Sequence, residues 1–275
     1  MTGYPPAGGL AGADPSLSWW VIDADLLEAA RRWLAAPSYT QERDYLAGHP
    51  ELLAPAADSA VEEALREVPA DEAERFRMLR ETAREDGVEA AYQPMMLMLL
   101  AQEFADADLA GQRRLLTEHT DDLCSDIVGA ALEELAERDQ TGRAQEGSAL
   151  RTLALLGQHE PVLDALDDPA QFYDLLARLA TLPDLSALGP AVAIAFTAVS
   201  TSTGAATAAF FFAVVLAAEG DEDQAQAVLT EARYIAPERA EEWAETLARI
   251  GRLHPIALDL VPLLHIPLPG EGAVR

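Results

Sequence analysis

"FFFAVVLAAEGDEDQAQAVLTEARYIAP", residues 210–237, joins two helical segments through a sharp turn. The first segment is apolar without interruption until Glu219. Gly220 then permits the positive φ that a tight inter-helix turn needs. Asp221 with Gln224 three residues on makes a capping box that starts a second helix. Within that helix Ala225, Val228, Leu229, Ala232 and Ile235 recur on one face, a single buried stripe. Small residues such as Ala225 and Ala232 let two antiparallel helices approach closely, and Pro237 closes the unit. The next segment, "ERAEEWAETLARIGRLHP" (238–255), is expected as a further helix.

Outward from this hairpin the same periodicity continues. Leu26, Leu27, Ala30, Trp33 and Leu34 recur at helical spacing, and Ser59 with Glu62 reads as another capping box. Pro37, Pro69, Gly87, Gly111, Gly142 and Pro183 punctuate the chain every few turns, and alternating strand patterns are absent. The fold class is therefore all-α. Residues 1–17 and 266–275, rich in Gly and Pro, are expected as flexible tails. An internal repeat spans the N-terminal half. "YLAGHPELLAPAADSAVEEALRE", from Tyr45, aligns with "LLTEHTDDLCSDIVGAALEELAE", from Leu115, at an offset of 70 residues. Arg43 meets Arg113, Leu46 meets Leu116, His49 meets His119, Leu53 meets Leu123, Thr82 meets Thr152 and Gly87 meets Gly157, with no gap. The expected organisation is two repeats of about 70 residues over 18–168, then a second helical region over 169–265.

The chain has 275 residues, half of them hydrophobic and 24% charged, so it can bury a sizeable core. Its formal net charge is −28, and all 19 basic residues are Arg. The absence of Lys and Asn matches GC-rich codon usage, as in actinobacteria. No basic face is available for a phosphate backbone or an acidic membrane surface, so neither is an expected partner. No charge falls between Asp184 and Glu219, but "STSTG" (200–204) splits that run into pieces shorter than the ~20 residues a membrane helix needs. Two buried helices are expected there. A single cysteine, Cys124, precludes a disulfide within the chain and is expected in packing. The N-terminus has neither a basic start nor an apolar stretch of signal-peptide type, which points to the cytoplasm.

Residues 206–239 resemble the tetratricopeptide repeat: Gly220 and Asp221 match its inter-helix turn, Ala225 and Ala232 its small packing residues, and Pro237 its closing proline. "YLAGHPELL" (45–53) and "RMLRETAREDGVEAAY" (77–92) resemble a helical repeat of bacterial, often actinobacterial, tetratricopeptide-type proteins. Arrays of that unit often flank CHAT protease-like or NTPase domains and act as interaction modules. The resemblance implies an antiparallel helical-hairpin solenoid and a protein client. It also implies a binding frame, because the first helix of each such repeat lines the concave face. On 206–218 that frame turns Thr207, Phe210, Val214 and Ala217 to the client and Ala209, Phe212, Ala213 and Leu216 to the core. The client-facing set is apolar, and no Lys or Asn exists to clamp a carboxylate. The expected client is thus an apolar helical segment with a basic flank.

The alternatives are chemical. Asp121, Asp122 and Asp126 in "DDLCSD" have the spacing of the Mg²⁺-binding motif of isoprenoid synthases, also all-α enzymes. The partner motif of that fold needs Asn, which the chain lacks. A third possibility is a sensor that holds a small apolar ligand between helices. The five histidines form no metal-ligand spacing, and His49 and His119 are expected at helix ends. "PMMLMLL" (94–100) is expected in core. No phosphate loop or nucleophile elbow appears, so no cofactor and no catalysis are expected. The leading expectation is a scaffold or adaptor.

Overall fold

The computed structural model describes residues 22–166, 168–198 and 201–265; the tails expected at 1–17 and 266–275 lie outside the described residues. Every regular element among the described residues is helical. The chain divides into two compact units, Met1–Met96 and Leu97–Arg275. This division falls inside the expected pair of repeats and not at 168/169, because each unit closes its own apolar core.

The first unit contains α1 (Ala24–Leu34), α2 (Tyr39–Gly48), α3 (Asp58–Leu65), α4 (Ala70–Glu85) and the start of α5 (Val88–Asp106). Asp23 caps α1 by accepting from the amides of Asp25 and Leu26, and Ser38 caps α2 by accepting from Gln41. The capping box expected at Ser59 does not form. A 3-10 turn, Pro55–Ala57, leads directly into α3, so Ser59 sits inside the helix and no side chain caps it. Trp33 is fully buried, edge-on to Phe76 at 5.0 Å, and its indole N–H donates to Tyr92 Oη at 2.9 Å. Beside them buried Glu42 accepts from both Nη atoms of Arg75, at 2.8 and 3.0 Å, while the guanidinium lies 4.0 Å over the Phe76 ring. A buried carboxylate is tolerable only when paired in this way.

The second unit continues with α6 (Leu109–Glu118), α7 (Thr120–Leu123), α8 (Asp126–Arg138), α9 (Arg143–Leu155), α10 (His159–Ala165) and α11 (Pro169–Ala180). Then follow α12 (Leu188–Ala198), α13 (Ser202–Glu219), α14 (Glu222–Ile235), α15 (Ala240–Ile250) and α16 (Val261–Leu264). The α13–α14 hairpin forms as expected: Gly220 ends α13 at φ 87°, and Asp221 caps α14 by accepting from Gln224 N at 3.2 Å. Ala225, Leu229 and Ala232 are buried against α13, whereas Ile235 is exposed at the last turn and leaves the expected stripe. By length and composition α13 could cross a membrane, but 56% of it is buried inside the unit. In α5 Leu97 is buried, while Met98 and Leu99 are exposed, so the methionine-rich run is only partly core.

Several local features of the two aligned segments correspond, with one correction to the register, while α3 packs on α1 and α8 on α9. Buried Glu42 and Gln112, buried Leu46 and Leu116, and the helix-ending His49 and His119 stand 70 apart. From there the offset becomes 71. Leu52, not Leu53, is the counterpart of Leu123, and both are fully buried. The first segment turns through a 3-10 helix, Pro50–Leu53, in which Leu52 N donates to His49 O at 3.0 Å. The second turns through α7, in which Leu123 N donates to His119 O at 2.9 Å. An α turn holds 3.6 residues against 3.0 in a 3-10 turn, so it takes up one extra residue without moving the core positions on either side. The offset returns to 70 at Gly87 and Gly157, which end their helices at φ 96° and 66°.

Candidate functional site

The residues expected to meet a client are core. Thr207, Phe210, Val214 and Ala217 are 3%, 0%, 1% and 3% exposed. The chain itself covers them. After Pro237 it folds back over α13, where Trp243 stacks on Phe210 at 4.9 Å with the rings 7° apart. Arg239 donates to Thr207 Oγ1 at 3.0 Å and to both carboxylate oxygens of Glu242. The same guanidinium lies 4.5 Å over the Tyr173 ring, and the Tyr173 hydroxyl is 2.7 Å from Thr246 Oγ1. Segment 238–255, expected to close an array, instead fills the groove that such an array would leave open.

The opposite side of α13 is the accessible one. Ala205, Ala209, Phe212 and Val215 are half-buried along it. Two of them, Ala209 and Phe212, stand in the set expected to face the core. Beside them α12 presents Ala193 and Phe196, both exposed, and half-buried Gly189 and Pro190. Phe196 is 47% exposed and meets the Phe212 ring edge-on, centroids 5.8 Å apart. At Gly189 an added Cβ would already touch Val215 at 3.8 Å, so the two helices lie close where glycine stands. These eight residues carry no charge and no hydrogen-bonding side chain. The periodicity could not phase this helix, because α13 is apolar from Ala205 to Ala218 except for Thr207, which is buried and marks no outer face. The usable signal lay elsewhere, in Trp243 and Trp33, whose large rings demand covered partners.

The other candidates do not assemble. Asp121 and Asp122 are exposed on α7, Asp126 is exposed in the first turn of α8, and no group of His, Cys, Asp or Glu among the described residues could hold a metal. The metal-dependent reading is corrected on that geometry; these carboxylates sit near helix N-termini, where the dipole favours negative charge. Cys124 is half-buried, and burial pushes its thiol pKa up, away from the thiolate a nucleophile requires. His49 stacks on Tyr45 with its Nδ1 2.8 Å from Tyr45 O, a helix-end role. A cavity of about 200 Å³ in the first unit is lined by Arg77, Arg80 and Arg84, but every guanidinium is engaged. Arg77 donates to both oxygens of Glu62, Arg80 and Arg84 share Asp58, and both also donate to carbonyls of residues 52–54.

No family model, curated protein or solved structure matches this chain. What the α12–α13 face offers is apolar area with two aromatic rings, and no group placed for proton transfer, nucleophilic attack or metal binding.

Proposed function

We propose that this chain is a non-catalytic protein–protein interaction module, a helical-hairpin array of the tetratricopeptide kind working as a cytoplasmic scaffold or adaptor. Its docking surface is the α12–α13 face, and its client an apolar, helical segment of another protein. One observation carries this reading: Phe196 and Phe212 form a solvent-facing aromatic pair within a face that has no charge. Contiguous exposed apolar surface marks binding sites in soluble proteins, and aromatic anchors dominate their energetics. A client helix would insert its own stripe between the two rings. The partial correspondence of residues 39–87 with 109–157 supports the array reading, since several buried positions recur and an arginine binds the carbonyls of the turn in each.

The test is selection of a displayed library of helical peptides on the full chain, with the Phe212→Glu variant as counter-selection. Peptides with an i, i+3/i+4, i+7 apolar pattern are expected to be retained by the natural sequence and lost on the variant. The melting temperature of the variant, measured alongside, establishes that it is folded. A selection that yields no peptide distinguishing the two proteins overturns the reading.

A further inference from the structure

The two ends of the α12–α13 face differ in charge, and this difference bears on the client's orientation. The inference rests on the face being the docking surface. α12 and α13 run antiparallel, with Gly189 of the first turn of α12 beside Val215 of the last turns of α13. At one end lie Phe196, Ala198, Thr201, Ser202 and Thr203, all uncharged. Of the carboxylates near it, Glu146 is buried and accepts from Thr197 Oγ1 at 2.6 Å, and Glu242 is paired with Arg239 on the Thr207 side of α13. At the other end Glu219, Glu222 and Asp223 are all exposed, and no arginine pairs with them among the described residues. Asp221, between them, is occupied as the cap of α14. The surroundings reinforce this polarity, for residues 97–265 hold 10 Arg against 28 Asp and Glu.

The geometry points to a directional docking site: an amphipathic client helix lies along the α12–α13 face with its Arg or Lys residues confined to the end that meets Glu219, Glu222 and Asp223. A second copy of this chain is a poor occupant, because each copy carries −28 and would bring like charge to the same rim. A client basic along its whole length gains nothing at the uncharged end. Rim charges of this kind act mainly on the association rate and its salt dependence.

The experiment uses the displayed helical-peptide library on the full chain at low salt. Retained peptides are expected to carry Arg or Lys within one terminal turn and not at the opposite end. The E219Q/E222Q/D223N variant, checked for an unchanged melting temperature, should bind them about tenfold more weakly in 50 mM NaCl and equally in 0.5 M NaCl. Retained peptides with no terminal bias, or a triple variant that binds as tightly as the natural sequence, overturn the directional site and leave the apolar docking face standing. Failure to retain any peptide that Phe212→Glu rejects overturns both.

Discussion

Arg80 and Arg151 show how one residue fixes a turn. Arg80 Nε donates to Leu52 O at 2.7 Å and Nη2 to Ala54 O at 3.2 Å. Arg151 Nε donates to Leu123 O at 2.8 Å and Nη2 to Cys124 and Ser125 O at 3.2 and 2.8 Å. Each guanidinium ties the carbonyls of its turn together; Ala54 O and Ser125 O also accept from Ala57 N and Gly129 N, both at 3.0 Å. The neighbours differ: Asp58 neutralises Arg80 at 2.8 Å, and the counterpart of Asp58 is Gly129. A Cβ on Gly129 would fall 2.6–2.9 Å from the Arg151 guanidinium, which would have to shift off its carbonyls to make room. Gly129→Ala is therefore expected to destabilise the protein by about 1–3 kcal/mol in urea titration, more than the same change at exposed Gly48, where a Cβ meets nothing. Asp58 gives a pH test. The hydrogen bond from Arg84, then that from Arg80, holds its carboxyl below the usual range of about 3.9. A lowered folded pKa means that the stabilisation is present above about pH 4 and is lost as the pH falls through the folded value. The natural protein should lose urea resistance as the pH falls below about 4, and Asp58→Asn should flatten that loss.

At the scale of the element, α13 separates what was legible from what was not. Its C-terminal end was legible, because Gly220, Asp221 and Gln224 have turn and cap chemistry that depends on neighbours only. Its rotation was not, because an apolar side chain at every position from Ala205 to Ala218, Thr207 apart, leaves no pattern to phase. The frame fell on Thr207, Phe210, Val214 and Ala217 by analogy with the repeat, and Trp243 occupies that side. Phe210 and Phe212 therefore exchange their expected places, and Phe210 becomes the costlier of the two to truncate. Phe210, fully buried between Trp243 and Phe211, should cost about 3–5 kcal/mol on truncation to Ala. Phe212 is half-buried, and Phe212→Ala should cost about half as much, measured by denaturant midpoint at constant slope. Equal losses would mean that no side of α13 is free. The extra residue in the second segment was hidden for a related reason. A 3-10 turn and an α turn differ by one backbone bond, from His49 O to the third residue or from His119 O to the fourth, and no side chain announces the choice.

Over the whole molecule the governing quantity is charge. Forty-seven acidic residues face 19 arginines, and most of the arginines already sit in ion pairs or on carbonyls, so the excess is repulsion spread across the surface. Self-repulsion at a net charge of −28 opposes the compact state. The exposed pairs, such as Arg32 with Glu28 and Arg138 with Glu134, each return under about 1 kcal/mol and weaken in salt. Screening acts on both, but the unpaired excess is larger than the paired set, so the net effect of salt on folding is stabilising. Raising NaCl from 20 mM to 0.5 M shortens the Debye length from roughly 20 Å to about 4 Å. The melting temperature of the larger unit should rise by about 2–8 °C, as a gain of about 1–2 kcal/mol would give for a unit of its size. Client binding should respond in the opposite sense, because its steering comes from Glu219, Glu222 and Asp223 and is screened by the same salt. A single titration read by calorimetry and by peptide affinity would therefore show stability climbing while affinity falls. Affinity that climbs with stability would mean that only the apolar contact at Phe196 and Phe212 holds the client and that the acidic rim is there for solubility alone.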